Sequence, residues 1–212
     1  MTRRAYDNTR RAEQARATRR RVLNSARELL SEQGPAAVTM RDVATHAGVS
    51  AETVYKTFRT KAALIKDVYD VTLAGDDEPI PMIDRPEIQA VFAASGPREK
   101  LARYAHAARR IGERTGPLLA KLLAGARGGD PELAAFRETT NQERMIGAGG
   151  IVHHLAETGG LRAGVSPERA TDIVWTLIAP EVYELLVSDR GWSADDYEQW
   201  LAQTLADALA AR

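Results

Sequence analysis

The sequence predicts an all-α fold, and three observations predict it. Apolar residues recur at i, i+3 and i+4 along almost the whole chain, the mark of helices with one buried face. No stretch alternates apolar and polar residues as a half-buried strand does. The breaks between periodic stretches carry Ser, Thr or Asp before a start and Gly or Pro near an end, which is the punctuation of helices. With 212 residues the chain suits one compact domain or two small ones sharing a core. It has no cysteine, so disulfides and thiolate metal sites are excluded. There is no run of 18 apolar residues, and the arginine-rich N-terminus has no apolar segment behind it. Neither a membrane span nor a signal peptide is expected, and the expected location is the cytoplasm.

Residues 1–15 hold Arg3, Arg4, Arg10 and Arg11 among polar residues and offer nothing to bury, so a disordered basic arm is expected there. Two uses remain open for it, a solubilising tail or an arm that follows phosphates. A first helix is expected over 15–33, with Val22, Leu23, Ala26, Leu29 and Leu30 on one stripe and Gly34-Pro35 ending it. Arg16, Arg19, Arg20 and Arg21 crowd its start, against the preference of the helix dipole. Nearby phosphates would relieve this; a solvated basic face is the alternative. Thr39 can cap a second helix, with Asp42 completing a capping box, and Gly48 can end it at positive φ. Ser50 can cap a third, with Val54 and Phe58 four apart on its inner side. Two short helices joined by a tight glycine turn make a helix-turn-helix, whose second helix enters the DNA major groove; an ordinary helical hairpin is the alternative.

Thr60 can cap a fourth helix to about residue 74, with Leu64, Ile65, Val68, Tyr69 and Thr72 inward. Residues 75–86, with two prolines and four acids ahead of Arg85, read as a mobile boundary loop. Further helices are expected over 86–94, 97–114, 117–126, 130–157, 166–189 and 193–211. The glycines at 147, 149 and 150 imply a bend or a closely packed neighbour, since each costs about 1 kcal/mol in a helix interior. Pro180, read as inside a helix, implies a kink, either purely structural or opening space beside Trp175.

Net charge is zero, yet residues 1–60 hold 12 Lys/Arg against 6 Asp/Glu while residues 61–212 hold 17 against 23. The basic part is the part with the helix-turn-helix, so phosphate contact is expected there. TMRDVATHAGVS and VYKTFRTKAALI together resemble the DNA-binding domain of TetR (tetracycline-repressor-like) transcriptional regulators. Thr39, Val43, Ala44, Ala47, Gly48, Val49, Ser50, Thr53, Tyr55, Phe58, Lys61 and Leu64 carry the likeness over roughly residues 18 to 65. It departs at Thr57, where the family often has His or Tyr, and at Ala51-Glu52, where many members have Lys or Gly. WTLIAPEVYELLVSDRGWSADDYEQWL also resembles the C-terminal end of many actinobacterial-type members.

The resemblance implies about nine helices in two parts: a three-helix DNA-binding domain over 16–60 and a helical ligand-binding and dimerisation domain over 61–212. It also implies a DNA-binding regulator, a repressor that holds a palindromic operator as a homodimer and is released by a small-molecule effector. Thr39, Tyr55 and Lys61 match positions that touch phosphates. Arg41, Ala51, Glu52 and Lys56 stand where base edges are reached, and Ser50 and Thr53 complete the DNA-binding set. Tyr104, Arg144 and Trp175 are the ligand-binding candidates: an aromatic wall, a charge and a polarisable ring among apolar helices suit a mostly apolar ligand with one polar group. Each has an alternative as ordinary core or surface.

Reading DNA with one short helix is weak, so a two-fold partner is required. Leu177, Leu185, Trp200, Leu201 and Leu205 on the last two helices are the dimerisation candidates, with Leu185 and Leu205 as centres. Which stripe faces the subunit's own core stays open. No cofactor, metal or enzyme activity is expected. Adjacent His153 and His154 point about 100° apart on a helix and cannot chelate together, His46 and His106 stand alone, and no nucleophile elbow or phosphate-binding glycine loop occurs. Two other classes remain: a DNA-binding regulator that needs no ligand, and a helical-bundle enzyme, which the missing catalytic set disfavours.

Overall fold

The computed structural model describes residues 3–211, with side chains from residue 10 onward. Ten α-helices are present among the described residues: α1 (Arg3–Gln33), α2 (Met40–Ala47), α3 (Ala51–Phe58), α4 (Lys61–Ala74), α5 (Pro86–Phe92), α6 (Pro97–Arg127), α7 (Pro131–Glu157), α8 (Pro167–Leu177), α9 (Pro180–Tyr183) and α10 (Ala194–Leu209). A 3₁₀ turn precedes α5 at Met82–Asp84, and a π-helical segment, Glu184–Asp189, follows α9. One isolated antiparallel bridge, Leu161 with Ala210, is the single β feature among these residues.

The chain forms two compact units. The first comprises residues 1–77 and 117–136. Its core gathers Val22, Ala26 and Leu30 of α1, Val43 of α2, Val54 and Phe58 of α3, Leu64 and Val68 of α4, and Leu118 and Leu122 of α6. Burying a side chain of this kind stabilises by about 1.5–3 kcal/mol. Tyr69 meets Phe136 edge to face at 5.3 Å. The second unit comprises residues 78–116 and 137–212. Val91, Leu101, Ile151, Leu155, Val174, Tyr197, Leu201, Leu205 and Leu209 form its core. Lys100 is buried there and donates to the Phe92 carbonyl at the end of α5 (3.1 Å), and burial lowers its pKa. The chain end is tied down by Arg162 N–H to Leu209 O (2.7 Å) and Ala211 N–H to Gly160 O (2.9 Å).

One close approach organises the second unit. A Cβ at Gly112 would lie 2.6 Å from Cδ2 of Tyr183, and one at Gly116 would lie 3.6 Å from Cε1 of the same ring. The buried tyrosine ring therefore rests on the bare backbone of α6, and it meets Tyr197 edge to face at 4.9 Å.

Several sequence expectations are corrected. Helix α1 begins at Arg3, so much of the arm expected to be disordered is helical. The helices expected over 97–114 and 117–126 are a single helix with Pro117 inside it. Proline costs one hydrogen bond, and the helix continues because Leu118, Leu119, Leu122 and Leu123 beyond it are buried. Pro180 is not inside a helix: α8 stops at Leu177, Ala179 is extended as residues before proline tend to be, and Pro180 takes the first position of α9. Helix α7 runs unbroken through its glycines; a Cβ at Gly149 would lie 4.0 Å from Thr171 Cγ2, and nothing lies within 4 Å of a Cβ at 147 or 150. The compact unit that holds the helix-turn-helix also includes α4 and residues 117–136.

Candidate functional site

Local chemistry fixes the helix-turn-helix. Thr39 Oγ1 accepts from Asp42 N–H (3.2 Å), while the Asp42 carboxylate accepts from Thr39 N–H (2.9 Å) and Thr39 Oγ1 (2.7 Å). These bonds hold the Asp42 carboxyl below the usual carboxylate range. Gly48 sits at φ 65°, ψ 39°, and its N–H with that of Val49 closes the end of α2 on the Ala44 carbonyl. Ser50 Oγ then accepts from Thr53 N–H (3.2 Å), and the two hydroxyls are 2.8 Å apart. Thr60 caps α4 in the same way through Ala63 N–H (3.1 Å). Buried Val43, Ala44, Ala47, Val54 and Phe58 press the pair onto α1 and α4.

The opposite face is polar and open. Thr39, Arg41, Ser50, Glu52, Tyr55 and Lys56 are exposed, Tyr55 by 48%, while Ala51 and Thr53 are half-buried. Lys61 is also half-buried, and its ammonium donates to the Pro35 carbonyl. That bond leaves two of its three donors for a phosphate. Thr57, where the resemblance departs, turns its hydroxyl back onto the Thr53 carbonyl (2.8 Å). Arg41, Lys56 and Arg59 are exposed and make no ion pair among the described residues. The arginines of α1 divide differently. Arg19 pairs with Asp67 (3.0 Å) and lies 4.9 Å over the Phe58 ring, and Arg20 reaches Asp77 (3.8 Å). Because α1 begins at Arg3, these arginines lie in its middle, and two of them are paired with acids of the same unit. Arg59 is the one non-glycine residue at positive φ among the described residues (φ 62°, ψ −53°), at the turn from α3 to α4.

In the second unit the three ligand candidates come together. The Arg144 guanidinium lies 4.6 Å over the Trp175 ring. Trp175 Nε1 donates to Asn141 O (3.2 Å), and Arg144 Nη2 donates to Asn141 Oδ1 (3.1 Å). Tyr104 lies within the electrostatic reach of Arg144; burial nevertheless pushes its pKa up.

The dimerisation candidates separate. Leu201 and Leu205 are wholly buried inside the subunit and are corrected: they belong to its own core and cannot centre a contact with another copy. Leu185 is 53% exposed, and Leu177 and Trp200 are half-buried. The histidines do not converge. His153 faces Glu157 (3.2 Å), His154 Nε2 faces the Phe92 carbonyl (3.2 Å), His106 faces Glu198 (3.1 Å) and His46 faces Glu28 (3.9 Å). No cluster of metal-ligating side chains occurs among the described residues, and no helix there is long and apolar enough to cross a membrane.

Comparison with known proteins follows the same division. Residues 22–68 match the family described as bacterial regulatory proteins, tetR family. The HTH-type transcriptional regulator YdeS of Bacillus subtilis (strain 168), itself uncharacterised, is 30% identical over 172 residues, 81% of this chain and 79% of YdeS. The chain belongs to the TetR family. It is a TetR-family transcriptional regulator, and its fold is that of solved members. A TetR-family regulator from Rhodococcus sp. superposes with a TM-score of 0.72 at 15% identity, covering 91% of this chain and 99% of that one. NalD, the secondary repressor of the MexAB-OprM multidrug efflux pump in Pseudomonas aeruginosa, gives 0.62 at 20% identity, covering 93% and 98%.

Proposed function

We propose that this TetR-family regulator is a cytoplasmic, non-enzymatic repressor that holds a palindromic operator as a homodimer and is released by a small-molecule effector. The observation that carries the reading is the exposed polar face of α2 and α3, fixed by two side-chain caps and a left-handed glycine on the basic part of the chain. Thr39, Tyr55 and Lys61 hold phosphates and set the register. Arg41, Ala51, Glu52 and Lys56 reach base edges, with Ser50 and Thr53 shaping the start of the reading helix. Two such heads address half-sites about 34–36 Å apart. Leu177, Leu185 and Trp200 supply the subunit contact.

The effector occupies the second unit beside Tyr104, Arg144 and Trp175. It releases DNA only by binding the DNA-incompetent form better than the competent one. The repressor role of NalD supports the sign of regulation.

The test starts from selection of random duplexes on the purified chain. A two-fold symmetric site should emerge, bound by two chains with an affinity that falls steeply with salt. Compounds that raise the melting temperature of the free protein should then lower its affinity for that site. Enrichment of asymmetric sequence bound by one chain would overturn the reading.

A further inference from the structure

Arg59 stands where the backbone favours glycine. Only Arg59 and Thr60 separate α3 from α4, and both flanks are fixed: Phe58 is buried in the core of the first unit, and Thr60 caps α4 through Ala63 N–H (3.1 Å). Arg59 N–H closes α3 on the Tyr55 carbonyl (2.9 Å), and Thr60 N–H donates back across it to the Phe58 carbonyl (2.7 Å). With φ 62° and ψ −53°, Arg59 is the central residue of a γ-turn of the positive-φ kind, a rare and strained conformation. Glycine would make the same turn at little steric cost. A strained residue persists where its surroundings over-determine it, and such residues cluster at functional places. Inside the subunit the Arg59 side chain has no use: its guanidinium is exposed and makes no hydrogen bond, ion pair or ring contact among the described residues.

The charge around the turn indicates what the side chain meets. Residues 53–66 hold Lys56, Arg59, Lys61 and Lys66 and no acid. Lys66 pairs with Asp70 (2.6 Å), which leaves Lys56, Arg59 and Lys61 to face a polyanion. Recognition helices read base edges with their N-terminal residues. Arg59 follows the last residue of α3, at the end away from those residues, so a phosphate rather than a base edge suits it. We propose that Arg59 is a further phosphate contact of this DNA-binding domain, presented to the duplex backbone by the strained turn between Tyr55 and Lys61. The proposal rests on the operator reading above and deepens it with a residue outside those that carry the family likeness. A guanidinium grips phosphate oxygens with two parallel donors. The strain destabilises the free chain and is tolerated because the contact tightens the complex.

Three variants of the full chain test it, Arg59→Gly, Arg59→Gln and Arg59→Lys, with Tyr55→Phe as the reference. Affinity for the duplex selected on the wild type, and for an unrelated duplex, is titrated from about 50 to 200 mM salt. Arg59→Gln keeps the strain and loses the charge. Each lost phosphate contact lowers the slope of log affinity against log salt by about 0.9, so the dimer should lose about 1.8 and bind at least about tenfold more weakly near 0.1 M salt. Arg59→Gly should bind as weakly as Arg59→Gln, yet unfold at a higher urea concentration than the wild type. Arg59→Lys should keep the slope, since an ammonium also neutralises a phosphate. Both duplexes should be weakened by a similar factor, because phosphate contacts carry no base information. Wild-type affinity and slope in Arg59→Gln, a changed operator preference, or an Arg59→Gly chain less stable than the wild type would each overturn the proposal. If Tyr55→Phe weakens binding while Arg59→Gln does not, Arg59 alone is misassigned. If neither does, the phosphate reading of the whole face fails.

Discussion

Substituting Leu185 and Leu205 separately distinguishes the subunit's core from its contact with a second copy. Both lie on apolar stripes of the C-terminal region, and the sequence treats them alike. In the folded subunit Leu205 is wholly buried and Leu185 is 53% exposed. Leu205→Ala removes a core side chain and leaves a cavity, at a cost of about 2–5 kcal/mol. For a chain of this size that lowers the melting temperature by roughly 4–20 °C, taking about 2–4 °C per kcal/mol. Leu185→Glu places its carboxylate where the isolated subunit meets water, so the subunit fold should survive. In a dimer, covering the remaining half of Leu185 contributes roughly 1 kcal/mol per subunit, half the value for burying a whole leucine, and two-fold symmetry applies it twice. Two unpaired carboxylates at a dry seam add several kcal/mol of desolvation. Together these raise the dimer dissociation constant by at least about a thousandfold, at 1.4 kcal/mol per factor of ten. Light scattering should show Leu185→Glu as a monomer, and its melting temperature should no longer rise with protein concentration. Affinity for the palindrome should fall with the dimer, while far-ultraviolet dichroism stays helical. An intact Leu185→Glu dimer with normal operator affinity would refute the reasoning and move the contact elsewhere on the surface.

Other substitutions probe the DNA-binding unit. Tyr55→Phe should weaken binding to all duplexes by a similar factor, read by titration against operator and unrelated DNA; a changed operator preference would contradict a phosphate role. Glu52→Ala should relax selectivity at one base position, because a carboxylate in the groove accepts from cytosine N4, and repeating the duplex selection would show it. Asp42 is held below its ordinary pKa by its bonds to Thr39, so its contribution to stability is complete above about pH 4 and is lost as pH falls through the folded value. Asp42→Asn should therefore flatten the acid limb of a melting-temperature profile below about pH 4. Arg59→Gly should raise stability by roughly 0.5–1 kcal/mol, the relief of a positive φ less the backbone entropy of glycine, measured by urea denaturation.

Legibility followed the reach of the physics. Caps are local, and Thr39, Ser50 and Thr60 each cap the helix the sequence assigned to them. The exposed polar arc of α2 and α3 is legible for the same reason, since both helices are short and their apolar positions are the buried ones. Prolines were misread twice in opposite senses. At Pro117 the buried leucines beyond it carry the helix through, and at Pro180 nothing comparable does. A wide stripe on α10 marks apolar surface without saying which arc the subunit covers, so Leu201 and Leu205 were indistinguishable from a contact surface. Long-range packing is not legible in the same way, and only the folded chain brings Tyr183 beside Tyr197.

The close seat of Tyr183 on Gly112 carries an evolutionary consequence. Alanine at 112 would place a methyl group inside the tyrosine ring, so neither position is free to drift alone. Among relatives of this regulator, glycine at the place of 112 should accompany a large aromatic at the place of 183, and lineages that acquire a side chain at the first should carry a smaller residue at the second. A correlated pair of this kind, some seventy residues apart in the chain, would be recorded in sequences that no one has yet folded.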